Sequence, residues 1–402
     1  MRALEDYRPI VGDVVVADIH QKARRLYGKR VINVNSTYYG GGVAELLNSL
    51  VPLENDVGLD ADWRILRGSY DFFSVTKKFH NALQGDPIEF TKRKEHIYVD
   101  ASIAFSQYAN LDGDCVVIHD PQPLPLVRLY RKRQPWIWRC HIDLSHPDPV
   151  LWDFLKGFIL RYDAVIVSHP DYIREDLPLR QHIIHPAIDP LTPKNIEIDE
   201  TTRGKYLRRY KVGRDKPFIA QISRFDRWKD PLGVLEAYKL VRKEFDCRLV
   251  MCGSMATDDP EGWAIYQRVA RRAKSLIERG DVVLITDENS ILVNALQREA
   301  AVIIQKSVRE GFGLTVSEAM WKGTPVVASR VGGIPLQITD GEDGFLVDPA
   351  DVAGTAACVL KLLRDPELAS HLGRNARETV RDKFLVTRLL SHWLDLLREM
   401  EI

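Results

Sequence analysis

The sequence predicts an α/β protein made of two doubly wound domains. Its 402 residues exceed the length that one hydrophobic core usually serves, so two domains of similar size are expected. Short apolar segments typical of buried strands alternate with longer helical segments along the chain. Strands that are apolar on both faces and are separated by helices form parallel sheets with helices on each side.

The predicted strands fall into two groups separated by an irregular segment. The first group is Val31 to Asn35, Trp63 to Leu66, Cys115 to His119, Trp136 to Arg139, Ala164 to Val167 and Ile183 to Ile184. The second is Phe218 to Ile222, Arg248 to Cys252, Val282 to Ile285, Val302 to Gln305, Pro325 to Ala328 and a short strand ending at Val347. Residues 189–205 are rich in proline, threonine and charge without a sustained period, as interdomain connections are. We therefore expect two Rossmann-like domains facing a cleft, over residues 1–195 and 196–383, and a helix over 384–402 that packs back on the first domain.

Composition excludes several classes of partner. Lys plus Arg and Asp plus Glu each number 56, so the formal charge of zero removes the usual electrostatic argument for nucleic acid or an acidic membrane. No apolar run approaches the ~20 residues of a membrane span, and the first residues lack a signal-peptide core. The 5 cysteines have no C-x-x-C spacing, which favours buried thiols in a reducing compartment. The sequence therefore predicts a soluble, cytoplasmic protein.

The stretch from Arg309 to Met320 predicts an anion-binding site. It follows an apolar strand as a glycine-rich turn and opens a helix predicted over Thr315 to Lys322. The first N–H groups of a helix have no internal partner, and the helix dipole is positive at that end. The backbone of Leu314, Thr315 and Val316 is therefore expected to hold a phosphate.

Two glutamates, Glu310 and Glu318, bracket this anion site. Carboxylates repel phosphates but accept hydrogen bonds from hydroxyls, so the pair suggests a sugar and a ribose on either side of the phosphate. A nucleotide sugar has this layout. Two other interpretations remain open at this point: Thr315 to Glu318 also matches a capping box, in which the glutamate closes its own helix end, and Glu310 could be a solvated loop residue.

Basic and glycine-rich loops follow two other predicted strands. Arg224 and Lys229 lie in the loop after Phe218 to Ile222, where both can reach a diphosphate, the arginine as a fork and the lysine as a point charge. The alternative is a pair of exposed basic residues. Gly40, Gly41 and Gly42 follow the first strand and let the backbone approach a ligand, although a plain tight turn is the more common explanation of a glycine triplet.

Polar residues also follow the strands that end at His119 and Arg139. Ligands of parallel sheets bind at the carboxyl ends of strands. This rule indicates Asp120 after the first of these strands and His141 and Asp143 after the second. The two aspartates can each accept hydrogen bonds from sugar hydroxyls, and the histidine can donate or accept. Taken singly, such residues are more often structural.

The chain resembles the retaining glycosyltransferases of family 4, which have the GT-B fold. The resemblance rests on the loop from Ser223 to Lys229, on the glutamate pair within 309–320 and on residues 341–347. Further runs are similar to those of the trehalose glycosyltransferring synthases: 34–45, 119–123, 138–144 and 258–263. Those enzymes join a nucleotide-activated glucose to free glucose and make α,α-trehalose.

The resemblance implies a role for each candidate residue. Arg224 and Lys229 hold the diphosphate, Glu318 binds the ribose and Glu310 faces the donor glucose. Gly41 and Gly42 lie beside the donor phosphates and sugar. His141 presents its backbone carbonyl or its ring near the reacting sugar, Asp120 orients the acceptor, and Gly253 and Asn294 are candidates for base contacts by position only.

The expected reaction is glucosyl transfer with retention of the anomeric configuration. No carboxylate has the context of a covalent nucleophile, so the acceptor hydroxyl is expected to enter on the face that the diphosphate leaves. Positive side chains can neutralise the diphosphate, and no His/Cys cluster has ligand spacing, so neither a metal nor a cofactor is expected. A trehalose phosphorylase, a sucrose- or glycogen-type transferase and an idle nucleotide-sugar-binding subunit remain alternatives. The base of the donor and the oligomeric state stay open, with a homodimer as one option.

Overall fold

The computed structural model describes residues 2–38, 41–253 and 260–402. The chain forms two compact units, here called the N-terminal unit (Met1–Ala187 with Val386–Ile402) and the C-terminal unit (Ile188–Leu385). Each unit contains a six-stranded sheet in which all neighbouring strands are parallel. The predicted α/β class with two doubly wound domains is therefore confirmed.

The sheet of the N-terminal unit has the order β2-β1-β3-β4-β5-β6. Its strands are β1 (Arg30–Asn35), β2 (Asp60–Ile65), β3 (Cys115–His119), β4 (Trp136–Arg139), β5 (Ala164–Val167) and β6 (Arg180–Ile183). The helices of its continuous part are α1 (Arg8–Ala23), α2 (Gly42–Asp56), α3 (Tyr70–Leu83), α4 (Lys92–Ser106) and α5 (Pro149–Ile159). The strand order reverses between β1 and β3, which is where doubly wound sheets bind ligands.

The sheet of the C-terminal unit has the order β12-β11-β10-β7-β8-β9. Its strands are β7 (Phe218–Ile222), β8 (Arg248–Cys252), β9 (Val282–Ile285), β10 (Val302–Gln305), β11 (Val326–Ser329) and β12 (Phe345–Val347). Its helices are α6 (Glu200–Arg209), α7 (Pro231–Glu244), α8 (Pro260–Arg272), α9 (Lys274–Glu278), α10 (Ser290–Glu299), α11 (Leu314–Trp321), α12 (Val352–Arg364) and α13 (Pro366–Lys383). Here the order reverses between β7 and β10, so the loops after these two strands adjoin.

The last helix, α14 (Val386–Glu399), belongs to the N-terminal unit and packs against α1 and α2. Its apolar side chains, including Leu390, Trp393 and Leu397, are completely buried. Within 2–38, 41–253 and 260–402, no helix combines the length and apolar character needed to cross a bilayer.

No helix was predicted between the strands Trp136 to Arg139 and Ala164 to Val167, where α5 lies. The start of α5 has a recognisable capping pattern. Pro149 occupies the first turn, and the Asp148 carboxylate accepts hydrogen bonds from the N–H groups of Val150 and Leu151. Leu151 and Leu155 are fully buried on the face that it turns to the core. The apolar periodicity of this segment was therefore sufficient to find it.

Several predicted boundaries differ from the structure; β2, for example, begins at Asp60 rather than at Trp63. The strand predicted at Ile183 to Ile184 is β6, which begins at Arg180 and is polar because it forms a partly exposed edge of the sheet. Helix α6 begins at Glu200, within the segment predicted to be irregular. Its N-cap is Asp199, whose carboxylate accepts from the Thr202 N–H at 2.7 Å.

Candidate active site

The N-terminus of α11 lies at the end of β10 in the C-terminal unit. Gly313 is its N-cap, with a φ of 88° that glycine adopts without strain, and no side chain caps the helix. Within the described part of the chain, no acceptor takes the N–H groups of Leu314 and Thr315. The third predicted donor is already used, because the Val316 N–H donates to the Gly313 carbonyl at 2.9 Å. Two backbone donors, rather than three, are thus left at this helix end.

Glu318 does not close its own helix. A capping box needs the glutamate at the third helical position, whereas α11 begins at Leu314 and places Glu318 in its second turn. The Glu318 side chain is 4% exposed; it accepts from Gln297 Nε2 at 3.2 Å and lies 3.5 Å from Lys194 Nζ. The capping-box interpretation is wrong, and Glu318 instead belongs to a buried polar cluster behind the helix.

Glu310 and Lys229 contact each other although they are far apart in the sequence. Lys229 Nζ donates to Glu310 Oε2 at 2.5 Å, and the same oxygen accepts from Ser307 Oγ at 3.1 Å and Gln305 Nε2 at 3.2 Å. Glu310 is 8% exposed, so the interpretation as a solvated loop residue is wrong. A Cβ built on Gly313 would lie 3.2 Å from Glu310 Cγ, so this ion pair rests against the start of α11.

The loop that carries Arg224 and Lys229 is held at several points. Gln221 Nε2 donates to the Lys229 carbonyl at 2.7 Å. At the end of the loop, Asp230 adopts a φ of 43° and its carboxylate binds Lys306 Nζ at 2.5 Å. Arg224 is exposed at the start of the loop. The two predicted basic residues thus differ, since the lysine is paired beneath the helix terminus and the arginine faces solvent.

Gly253 and Asn294, expected near the base, have structural explanations. A Cβ on Gly253 would lie 1.9 Å from the Ser223 carbonyl oxygen, so glycine is required where the ends of β7 and β8 meet. Asn294 is completely buried, and its Nδ2 donates to the carbonyls of Pro193 and Ile196 at 3.0 and 2.7 Å. In this conformation the asparagine has no surface left for a nucleotide, contrary to the expectation.

Asp120 and His141 come together at the carboxyl ends of β3 and β4. Asp120 has a φ of 61°, and its N–H donates to the Arg139 carbonyl at 2.9 Å. Its Oδ1 accepts from the backbone N–H of His141 at 2.7 Å. Burial raises the pKa of Asp120 to about 7, although the hydrogen bond from His141 and the charge of Arg139 act in the opposite direction.

His119 is a residue of this site that the sequence analysis did not select. Its Nδ1 lies 3.1 Å from Nε2 of His141, and its Nε2 lies 3.0 Å from Oδ1 of the buried Asn33. Burial and the nearby charge of Arg139 lower the pKa of both histidines well below the usual value, so both rings are neutral at pH 7. The available signal was its position at the same strand end as Asp120.

The buried guanidinium of Arg139 acts on these histidines and is in turn affected by the buried carboxyl of Glu54. Arg139 is 1% exposed, and neither Nη1 nor Nη2 has a hydrogen-bond partner within the described residues. Its guanidinium carbon lies 5.8 Å from the centre of the Trp393 ring, and the Trp393 Nε1–H donates to Glu54 Oε1. Glu54 is completely buried, and burial raises the pKa of its carboxyl to about 8. A charged residue that ends an apolar strand was the only sequence signal for this cluster.

Asp143, Gly41 and Gly42 are the remaining candidates of the N-terminal unit. Asp143 is 5% exposed, and its Oδ1 accepts from the N–H and the hydroxyl of Ser145 at 2.9 and 2.5 Å. Gly41 has a φ of 94°, which requires glycine, and Gly42 begins α2. Gly40 and residues 254–259, which include the first two residues of the run 258–263, lie outside the described residues. Across 2–38, 41–253 and 260–402, no group of three His, Cys, Asp or Glu side chains could hold a metal ion.

Two known protein families match consecutive parts of this chain. The family described as "Trehalose synthase, N-terminal domain" matches residues 33–174, and the family described as "Glycosyl transferases group 1" matches residues 203–379. A trehalose synthase from Pyrococcus horikoshii is 44% identical over 406 residues, which cover 99% of this chain and 97% of that protein. A trehalose synthase from Rubrobacter xylanophilus is 45% identical over 401 residues, which cover 97% and 95%.

A solved structure shares the fold. An α,α-trehalose-phosphate synthase (UDP-forming) from Burkholderia xenovorans, in complex with glucose-6-phosphate, matches with a TM-score of 0.75 over 93% of this chain and 100% of that chain. The sequence identity is 15%, so this likeness concerns the fold alone. It confirms the predicted GT-B fold class.

Proposed function

We propose a specific reaction from the premise that this chain belongs to the trehalose synthase family of glycosyltransferases. As a member, the chain is a trehalose-forming hexosyltransferase. The finer proposal is that it transfers glucose from a nucleoside-diphosphate glucose to free glucose, with retention of the anomeric configuration, and releases the nucleoside diphosphate. No metal or other cofactor takes part in the proposed reaction.

The observation that carries the donor assignment is the Lys229–Glu310 pair at the N-terminus of α11. Diphosphates require positive charge and N–H donors, whereas glucose hydroxyls require acceptors. The pair joins a cation and a carboxylate at 2.5 Å beside a helix end with unused N–H groups. These are the groups that a sugar diphosphate needs, in one place, and Glu318 and the exposed Arg224 complete the proposed set.

The proposed residues act through charge and position. Lys229, Arg224 and the N–H groups of Leu314 and Thr315 stabilise the negative charge that grows on the leaving diphosphate. Three donors converge on Oε2 of Glu310, which lowers the nucleophilicity of this carboxylate and suits it to binding the sugar. The acceptor hydroxyl therefore attacks from the face that the diphosphate leaves, and the leaving phosphate oxygen takes the hydroxyl proton. In the N-terminal unit, Asp120 orients the acceptor glucose.

The test is incubation of the protein with glucose and a panel of nucleoside-diphosphate glucoses, followed by identification of the disaccharide and the nucleotide. We expect α,α-trehalose and one equivalent of nucleoside diphosphate. Lys229→Ala should lower kcat/KM by at least about 30-fold, that is ~2 kcal/mol of transition-state stabilisation. The matched control is Lys239→Ala, since Lys239 forms an ion pair with Glu236 at 3.0 Å on the outside of α7. Near-normal turnover of the Lys229 variant would contradict the proposed role.

Parallel incubations with trehalose and inorganic phosphate, with fructose or with a glucan separate the competing functions. A trehalose phosphorylase would form glucose 1-phosphate from trehalose and inorganic phosphate and would ignore the nucleotide donor. A sucrose- or glycogen-type transferase would use fructose or a glucan as the acceptor. An idle binding subunit would bind the donor without turning it over. Glu318→Ala should mainly raise the Kd of the nucleotide, and a loss of melting temperature without a change in that Kd would make its role structural.

A further inference from the structure

Three polar residues of the N-terminal unit form a continuous hydrogen-bonded row. Asn33 lies in β1, His119 ends β3 and His141 follows β4, and these three strands are neighbours in the sheet. Asn33 Oδ1 lies 3.0 Å from His119 Nε2, and His119 Nδ1 lies 3.1 Å from His141 Nε2. Asn33 and His119 are 0% and 1% exposed, so water does not compete for the hydrogen bond between them.

The two imidazole rings meet edge to edge rather than face to face. Their planes are 14° apart and their centres 5.4 Å apart, while the contacting nitrogens are separated by 3.1 Å. The distance between the ring centres equals the nitrogen–nitrogen distance plus the radius of each ring. The two nitrogens therefore lie on the line that joins the centres, and the rings are not stacked. The contact is an in-plane hydrogen bond, with the lone pair of one ring aimed at the N–H of the other.

This geometry determines where the protons lie. The structure turns Oδ1 of Asn33 toward His119 and leaves Nδ2 without a partner among the described residues. A carboxamide oxygen only accepts, so with this amide orientation His119 carries its proton on Nε2 and leaves Nδ1 bare. The bare Nδ1 must accept from His141, which therefore carries its proton on Nε2. Both rings are neutral, because burial and the charge of Arg139 disfavour the imidazolium form of each. The Nδ1 atom of His141 is then a hydrogen-bond acceptor, and no described residue donates to it.

We propose that Asn33 and His119 are positioning residues that hold His141 in its Nε2-protonated form, so that Nδ1 accepts a hydrogen bond from a hydroxyl of the bound sugar. This inference rests on the proposed function, since it assigns the ring of His141 to the sugar. Two hydrogen bonds hold His141 in place. Its backbone N–H donates to Asp120 Oδ1 at 2.7 Å, and its ring is hydrogen-bonded to His119. A neutral acceptor held in this way selects a hydroxyl and offers no charge to the diphosphate.

The first test needs no substitution at the row. Protein labelled with ¹⁵N-histidine is studied by imidazole ¹⁵N NMR at neutral pH, and the His141 signals are assigned by their loss in His141→Gln. We expect a protonated Nε2 and a bare Nδ1 in both His119 and His141. A His141 ring protonated on Nδ1, or an equal mixture of the two forms, would overturn the inference.

The second test removes the end of the row. Asn33→Leu keeps the shape of the side chain but deletes the acceptor, so both histidines should become mixtures of the two neutral forms. We expect kcat to fall about tenfold, because one buried hydrogen bond is lost. The KM of the donor should change little. Asn33→Asp restores an acceptor and should recover the ¹⁵N pattern of His141. The exposed Asn110→Leu is the matched control and should change neither readout.

The outcomes separate this inference from the proposed function. If no nucleotide-glucose supports trehalose formation while the ¹⁵N pattern is as expected, the proposed reaction fails and the row of hydrogen bonds stands. If trehalose forms and Asn33→Leu keeps both the pattern and full kcat, the positioning role of Asn33 is refuted. If Asn33→Leu does not fold, the ¹⁵N pattern of the unsubstituted protein decides.

Discussion

Replacing Glu54 by glutamine should remove a large part of the pH dependence of stability of the N-terminal unit. Glu54 is completely buried beneath α14, where its Oε1 accepts from Trp393 Nε1 and its Oε2 has no hydrogen-bond partner among the described residues. Burial raises the pKa of this carboxyl from 4.5 to about 8, against the opposing effects of the Trp393 bond and the charge of Arg139. The folded protein therefore holds Glu54 in its neutral form at pH 7, and glutamine resembles that form.

The sign and size of the effect follow from the difference in proton binding. Between pH 4.5 and about 8, folded Glu54 keeps a proton that the unfolded chain has released, so the free energy of unfolding falls as the pH rises. The stability that the neutral Glu54 carboxyl contributes is fully present below pH 4.5 and is lost by about pH 8. Each pKa unit corresponds to about 1.4 kcal/mol, so the free energy of unfolding falls by up to ~5 kcal/mol over this pH range. Relaxation of the structure around the charged carboxylate makes the change smaller.

The assay is urea unfolding of the unsubstituted protein and of Glu54→Gln at about pH 5 and about pH 8, followed by tryptophan fluorescence. We expect the stability of the variant relative to the parent to rise by several kcal/mol from the lower to the higher pH. Glu89→Gln, at an exposed position of the same unit, should show no such change. A stability difference that is constant with pH would refute the reasoning that burial controls the protonation of Glu54.

The remaining predictions concern the loop that carries Lys229. Gly253→Ala places a Cβ 1.9 Å from the Ser223 carbonyl oxygen, so it should lower stability by at least ~2 kcal/mol and also lower kcat/KM; an unchanged melting temperature would contradict the contact. Lys306 is 2% exposed and binds the Asp230 carboxylate at 2.5 Å and the Pro349 carbonyl at 2.7 Å. Lys306→Met should cost ~3 kcal/mol in urea unfolding and raise the KM of the donor, and an unchanged KM would show that this ion pair does not position the loop.

Local burial explains why the strands could be predicted and where prediction stopped. Segments such as Cys115–His119 and Phe218–Ile222 are buried on both faces, and a continuous apolar run reports that state directly. The edge strand β6 is polar and partly exposed, so its bounds were misplaced. Helix α5 was missed although its cap and its apolar period were present in the sequence.

The candidate site was predicted in part for a similar reason. Residues at strand ends are readable because the chain order places them there, which is how Lys229, Glu310, Asp120 and His141 were selected. Their hydrogen-bond partners could not be predicted from the sequence. The oxygen of Glu310 meets a lysine 81 residues away, and the ring of His119 meets an asparagine 86 residues away.

The sequence by itself determined the α/β class, the two-domain organisation and the strand ends at which charged and polar residues gather, because apolar periodicity and turn chemistry are local properties. Only the tertiary structure decided that Glu318 faces a buried cluster rather than its own helix end, and that Asn294 is used up within the fold. It also decided that His119 and Asn33 stand behind His141. The physical reason is that hydrogen-bond partners and protonation depend on which distant segments the folded chain brings within about 3 Å of each other.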